Sequence, residues 1–333
     1  MQVKKIVFMA GKLWNDLLSL RNTVPLTPGP YDRHLGYYYI RFESDFKKLN
    51  RLLHSFDTDG IPLNTTYIDV ENPQLHYYPI SIGQYALARW HDHLMDKEGA
   101  IEHFMRIADW FVSEAVCSPS GGALWLTEVP KPEYEVTSPW PSAFAQSRAI
   151  SVLLRAWQHT GEERYFILAC KALQPFERDI SEGGVSVDRA TPGIAFYEEY
   201  VAQWPTRVLD GHSFALFGLY DFIRAAPKDS EHHGKAVRLF EEGIEGLKYH
   251  LSYYDTGTWL RFNRCERPGY PNEDPCTIGY LKLVIAQMRV LYSMTGDAQF
   301  DALARKWKKY LTPKGIWNMY YEKWHTLRKL NRL

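Results

Sequence analysis

Two acids and three aromatics stand together at Phe196-Tyr197-Glu198-Glu199-Tyr200. They fall in a long stretch, Pro175 to Asp210, that joins two helical patterns. A carboxylate beside a phenol can take a proton and return one, so the segment is a candidate acid–base pair. The bland alternative is that Tyr197 and Tyr200 pack while both acids are solvated. Arg207 lies in the same stretch, and Arg261 and Arg264 lie in a second one, Ser252 to Pro275. Arginines there can bind a substrate carboxylate through two parallel hydrogen bonds. The second stretch also carries Tyr254-Asp255-Thr256-Gly257 and leads to Tyr280 at the start of an apolar helix. His91 and His93 are two apart and face different sides of a helix, which disfavours a metal site. The sequence has no GxSxG motif, phosphate loop or dinucleotide fingerprint. Cys117, Cys170, Cys265 and Cys276 form no CxxC pair, which argues against a zinc site and a disulfide framework.

The elements that must position these residues form a repeat. Thr160-Gly161-Glu162-Glu163-Arg164-Tyr165 resembles Thr295-Gly296-Asp297-Ala298-Gln299-Phe300, 135 positions further on. Each segment links two helical patterns, and similar polar links occur near Asp96 and Lys228. That predicts four helix–link–helix units of about 67 residues each. In each unit the second helix is amphipathic, as in Ile101, Phe104, Ala108 and Phe111. The first is apolar around most of its circumference, as in His212 to Ile223, and so must be buried. Alternating buried and half-buried helices predict a mainly α chain, an (α/α) toroid of about four pairs. Links from first to second helix are short; those back to the next first helix, such as 117–140, 175–210 and 252–275, are long. All the long links then emerge at one end, and long loops on a rigid scaffold carry function.

Residues 1–70 do not fit the repeat and predict a short helix followed by a β-hairpin region. Tyr37 to Phe42 reads as a strand, and Asp57-Thr58-Asp59-Gly60 as a turn. The toroid then spans 71–333. The chain of 333 residues is 45% hydrophobic and 23% charged, enough apolar material for a large core. Lys plus Arg and Asp plus Glu are 39 each, which argues against a nucleic-acid partner. Aromatics are 15%, suited to sugar stacking or to an aromatic core. The run Ile6 to Ala10 after Lys4 and Lys5 is too short for a signal peptide or a spanning helix, so a soluble, cytoplasmic protein is expected. The basic end, with Lys314, Lys323, Arg328, Lys329 and Arg332, reads as a solvated helix with Trp317 and Trp324 packed inward, or as a membrane-surface contact.

Several blocks resemble one family. They include Tyr78-Pro79-Ile80 with Gln84-Tyr85, Ser142-Ala143-Phe144-Ala145-Gln146, and Ala149-Ile150-Ser151-Val152-Leu153-Leu154-Arg155-Ala156. Pro175-Phe176, Gly183-Gly184-Val185, Tyr197-Glu198-Glu199-Tyr200, Gly218-Leu219-Tyr220-Asp221 and Tyr254-Asp255-Thr256-Gly257 continue the series. In this order and spacing, from about Leu75 to Leu311, they resemble the D-glucuronyl C5-epimerases. The resemblance implies a toroid without room for the separate β-domain of animal members. It also implies inversion of D-glucuronate to L-iduronate within a polysaccharide, with no cofactor and no metal. By resemblance Glu199, Tyr200 and Tyr280 carry acid–base chemistry. A further family tyrosine falls on Phe262, which has no hydroxyl, and Asp210-Gly211 stands where Asn-Gly is usual. The expected sugar contacts are Tyr38, Tyr78, Tyr85, Gln146, Arg207, Phe262 and Arg264. The expected partner is an acidic, glucuronate-containing polysaccharide or oligosaccharide, with a homodimer also in view. A uronate lyase or glycosidase on the same toroid, and a non-catalytic acidic-glycan binder, are the alternatives.

Overall fold

Each repeated Thr-Gly is a helix stop with the same local chemistry. The hydroxyls of Thr160 and Thr295 donate to the carbonyls of Ala156 and Leu291 four residues back, at 2.9 and 2.8 Å. They also accept from the amides of Glu162 and Asp297, both at 3.1 Å. Gly161 and Gly296 then take φ of 76° and 72°, a left-handed conformation that a side chain would strain. The chain therefore turns sharply and the next helix folds back on the first.

The computed structural model describes residues 11–45, 53–65, 74–118, 121–137 and 139–330. The apolar run Ile6 to Ala10 and Arg332 lie outside the described residues. Helix α1 covers 11–18. Strands β1 (Leu53–Phe56), β2 (Pro62–Thr65) and β3 (Leu75–Tyr77) form an antiparallel sheet. Four helix pairs follow: α2 (Pro79–His93) with α3 (Ala100–Ser113), then α4 (Ala143–Thr160) with α5 (Glu163–Lys171). The others are α6 (Leu209–Ala225) with α7 (Glu231–Tyr254), and α8 (Ile278–Thr295) with α9 (Ala298–Lys308). Two-stranded ribbons lie in the long links, β4 (Val116–Cys117) with β5 (Ala123–Leu124), and β6 (Ser186–Val187) with β7 (Phe196–Tyr197).

The inner helices pack in sequence, α2 on α4, α4 on α6 and α6 on α8, and each outer helix packs on its own inner partner. Every residue of α4 from Ala143 to Ala156 is buried, whereas α3 buries only Ala100, Phe104, Ile107, Ala108 and Phe111. This is the (α/α) toroid that the periodicity predicts. Residues of the N-terminal region, Leu35 to Ile40, share one hydrophobic core with the helices.

The N-terminal segment corrects one expectation. Tyr37 to Phe42 is not a strand laid outside the toroid; only Ile40 makes an isolated bridge, to Leu26. The segment instead threads the ring's axis. At one end Arg224, late in α6, donates to the carbonyls of Asp32 and His34, and Trp90, late in α2, donates to Gly36. Further along, the amide of Tyr38 donates to Nε2 of buried His91, and the Tyr39 hydroxyl donates to Asp221 at 2.6 Å. Asp221 also pairs with fully buried Arg155 at 2.7 Å. Helix side chains thus satisfy backbone groups that a strand would have paired with a neighbour.

Helix α10 (Pro313–Lys329) ends the described chain. Its buried side holds Ile316, Met319 and Thr326. Trp317 and Trp324 do not pack inward: they are 65% and 41% exposed. Among the described residues no helix is long and apolar enough to cross a membrane.

Candidate active site

Long links precede the inner helices, so the N-terminal ends of those helices and the links meet at one end of the ring. There they enclose a cleft of about 610 Å³. Tyr78 and Ile80 come from the start of α2, Phe144 from α4, Asp210 and Phe214 from α6, and Tyr280 from α8. Lys131, Glu199 and Tyr200 come from the links, and Arg41 and Phe42 from the threaded segment. Phe144 and Phe214 stack face to face, 4.6 Å between ring centres, as an apolar floor.

The two adjacent acids have separate fates. Glu198 is fully buried, and its carboxylate accepts from the amides of Thr206 and Arg207 and from the Thr206 hydroxyl. It holds the link in place. Glu199 is 4% exposed and faces the cleft, with Oε2 unpartnered among the described residues. Burial pushes its carboxyl up to about 7, against opposing help from the Tyr200 hydrogen bond and the Lys131 charge. Neither acid is solvated, contrary to the bland expectation, while Tyr197 packs as that reading has it, donating to the Leu239 carbonyl.

Tyr200 is held on several sides. Its ring stacks on Tyr134 at 5.2 Å and meets Trp140 at 5.4 Å, and the Lys131 ammonium sits 4.4 Å from its centre. Asn263 locks that wall by donating to the hydroxyls of Tyr134 and Tyr270 at 2.7 and 2.8 Å. Burial raises the Tyr200 phenol well above 10, with the Glu199 charge adding to the effect. At neutral pH the pair therefore holds one titrating carboxyl and one intact phenol.

Asp210 lies in the first turn of α6, 3% exposed, and Oδ1 is unpartnered among the described residues. Desolvation, then the nearby Glu199 charge, raises its carboxyl well above the usual range. Gly211 permits this proximity: a Cβ there would lie 2.5 Å from Cβ and 2.6 Å from Oε2 of Glu199. Two carboxyls thus share one buried corner, and their titrations belong to the pair.

Of the residues expected at the site, Glu199, Tyr200, Tyr280, Tyr78 and Tyr85 line the cleft. Five expected sugar contacts do not. Tyr38 is fully buried, its hydroxyl accepting from Arg148 at 2.8 Å. The Gln146 amide is consumed by the Trp125 amide and the Ala123 and Ala172 carbonyls. Arg207 pairs with Asp188 and Glu266, both at 2.6 Å. Arg264 donates to His250 at 2.7 Å and lies over the Tyr253 ring. Neighbours in the fold had already taken their polar groups. Phe262 stands behind the wall, 5.0 Å from the Tyr280 ring, and does not line the cleft. Sequence reasoning missed Lys131 and Arg41 as cleft cations and Asp210 as a second acid. The one signal for Lys131 is its place between Pro130 and Pro132, which fixes the backbone around it.

A 166-residue stretch is 36% identical to a D-glucuronyl C5-epimerase of Caenorhabditis elegans, covering 46% of this chain and 26% of that protein. Another of 188 residues is 27% identical to an uncharacterized protein of Methanocaldococcus jannaschii, covering 56% of this chain and 57% of that one. The matched regions thus span only part of these relatives. Among solved structures, a GH76 alpha-mannanase of Bacteroides thetaiotaomicron is 12% identical with a TM-score of 0.46, covering 80% of this chain and 64% of that one. The family described as D-glucuronyl C5-epimerase C-terminus matches residues 123–309, which include Lys131, Glu199, Tyr200, Asp210 and Tyr280. With more than half of its length matched, the chain belongs to the D-glucuronyl C5-epimerase C-terminus family.

Proposed function

We propose that the cleft inverts C5 of D-glucuronate within an acidic glycan, giving L-iduronate. The carrying observation is Glu199, buried at the cleft with its carboxyl near 7 and hydrogen-bonded to an intact Tyr200 phenol. C5 lies α to the sugar carboxylate, so its proton leaves only if the enediolate is stabilised. Lys131 and Arg41 supply positive charge at the cleft. Ionised Glu199 takes the C5 proton, and the electron pair moves into the sugar carboxylate. A phenol then returns a proton to C5 from the opposite face, and Tyr280 is assigned that role. Carbon loses one proton and gains one, which leaves Glu199 protonated and Tyr280 ionised; both reset by proton exchange with water, and no redox partner is needed. Phe144 and Phe214 offer an apolar surface for the sugar ring.

Asp210 favours a second reading. Beside Glu199 it supplies the second carboxyl that a glycosidase needs. Incubation with a glucuronate polymer in D2O separates the readings. The epimerase places deuterium at C5 and creates no chain ends. Unsaturated ends mean a lyase, new reducing ends without unsaturation a glycosidase, and no reaction a binder.

A further inference from the structure

The cleft has a cationic neighbour. A second cavity of about 310 Å³ opens between residues 20–26, the outer stripe of α8 and the end of α9. That volume is near the lower limit for a ligand pocket. Its floor is apolar, with Ile285 and Ala286, and its rim carries Arg21, Lys282, Arg289 and Lys308. No carboxylate among the described residues lines it. Among the described residues Arg21, Arg289 and Lys308 have no acidic partner, and Lys282 donates only to the Ser19 carbonyl. Asp16, the acid that acts on Lys282 from α1, accepts from the Tyr320 hydroxyl at 2.6 Å. Four cations around one concavity repel each other unless an anion joins them. Val24 lines both this cavity and the cleft, so the two are neighbours across one side chain.

We infer that the Arg21–Lys282–Arg289–Lys308 cavity is a remote subsite that binds an anionic group of the same glycan chain whose uronate occupies the cleft. The inference rests on the proposed glucuronate specificity and extends it to a polyanionic chain. Sugar faces suit the apolar floor, and carboxylate or sulfate groups suit the rim. The subsite sets affinity by chain length and leaves the chemistry to the cleft.

Binding of an unsulfated glucuronate–hexosamine disaccharide and octasaccharide, measured by calorimetry, tests this. A hydrogen bond to a charged group is worth about tenfold in affinity or more. The octasaccharide should bind the native chain at least about tenfold more tightly than the disaccharide. Arg21→Gln with Lys308→Gln, both exposed positions, should remove most of that advantage and leave disaccharide binding unchanged. Adding Arg289→Gln should remove the rest. A length advantage that survives all three changes overturns the subsite while leaving the cleft reading intact. Inorganic sulfate or phosphate binding the cavity as tightly as the octasaccharide overturns it in favour of a free-anion site. Absence of all oligosaccharide binding sinks both proposals. Cavity-dependent binding without C5 exchange keeps the subsite and removes the epimerase.

Discussion

Glu199→Gln tests the reasoning about the cleft, because burial of this carboxyl has a thermodynamic consequence apart from catalysis. Asp210 shares the corner and would titrate in its place, so both chains compared carry Asp210→Asn. A carboxyl raised from 4.5 to about 7 is disfavoured as an anion by about 3 kcal/mol. The folded-state value lies above the unfolded one, so the stabilising effect of the neutral form is complete below about 4.5. It is lost as pH rises through 7. The amide introduced by Glu199→Gln does not titrate. Relative to the chain that keeps Glu199, the substituted chain should therefore gain about 3 kcal/mol of stability between pH 4 and pH 8. For 333 residues the unfolding entropy is about 0.7 kcal/mol/K, which makes the gain about 4 °C in Tm. Paired thermal scans at both pH values read it, and other groups cancel in the difference. In the otherwise native chain, Glu199→Gln should lower kcat for C5 exchange by about 10²-fold or more. Native exchange should rise with pH around 7, because the base works ionised. A Tm difference that does not change with pH would refute the claim that Glu199 is buried and poised.

Tyr200→Phe should cut kcat for C5 exchange by about 10²-fold with an unchanged circular dichroism spectrum; full activity would make the phenol a packing group. Lys131→Gln removes a charge that lowers the Glu199 carboxyl, so the rising limb of the pH–rate profile should move to higher pH, and an unmoved limb counts against the contact. Gly211→Ala puts a methyl 2.5 Å from the Glu199 Cβ and should cost about 1–3 kcal/mol by thermal denaturation, along with activity; a neutral effect would mean Glu199 moves away freely. Phe262→Tyr sets a hydroxyl behind the wall beside Tyr280 and should leave C5 exchange unchanged; a clear rise in exchange would mean that position 262 reaches the cleft after all.

The helix pairs and the working end were legible because both follow from local rules. Periodicity marks the buried faces, Thr-Gly stops each of two inner helices, and link length separates the ends. The placement of Glu199, Tyr200 and Tyr280 in one cleft follows from that topology. Contacts distant in sequence were not legible. Tyr38 looks like a sugar-stacking residue until the segment carrying it is seen to enter the ring and meet Arg148, 110 positions away. Gln146 looks like a polar group on the cleft end of an inner helix. Only the fold reveals that three backbone groups occupy its amide. Arg207 and Arg264 were drawn to a substrate carboxylate by charge alone, and Asp188 and His250 reached them first.

Glu198 and Glu199 separate architecture from chemistry most clearly. Both are buried, and both carboxyls are pushed up to about 7. Burying such a group is costly unless hydrogen bonds replace water. For Glu198 the replacement comes from two backbone amides and a hydroxyl, and the acid fastens its own link. Glu199 lines the cleft with Lys131 and Arg41 and keeps a buried oxygen, set against Gly211, that no described group satisfies. A stability role leaves that orphan oxygen unexplained, because an apolar side chain in the same corner would cost less. The proposed proton transfer gives the group a use there, because a buried carboxylate whose carboxyl is pushed up to about 7 is a stronger base than a solvated one. Gly211 fits the same account: the glycine leaves room for a carboxylate that does nothing for packing.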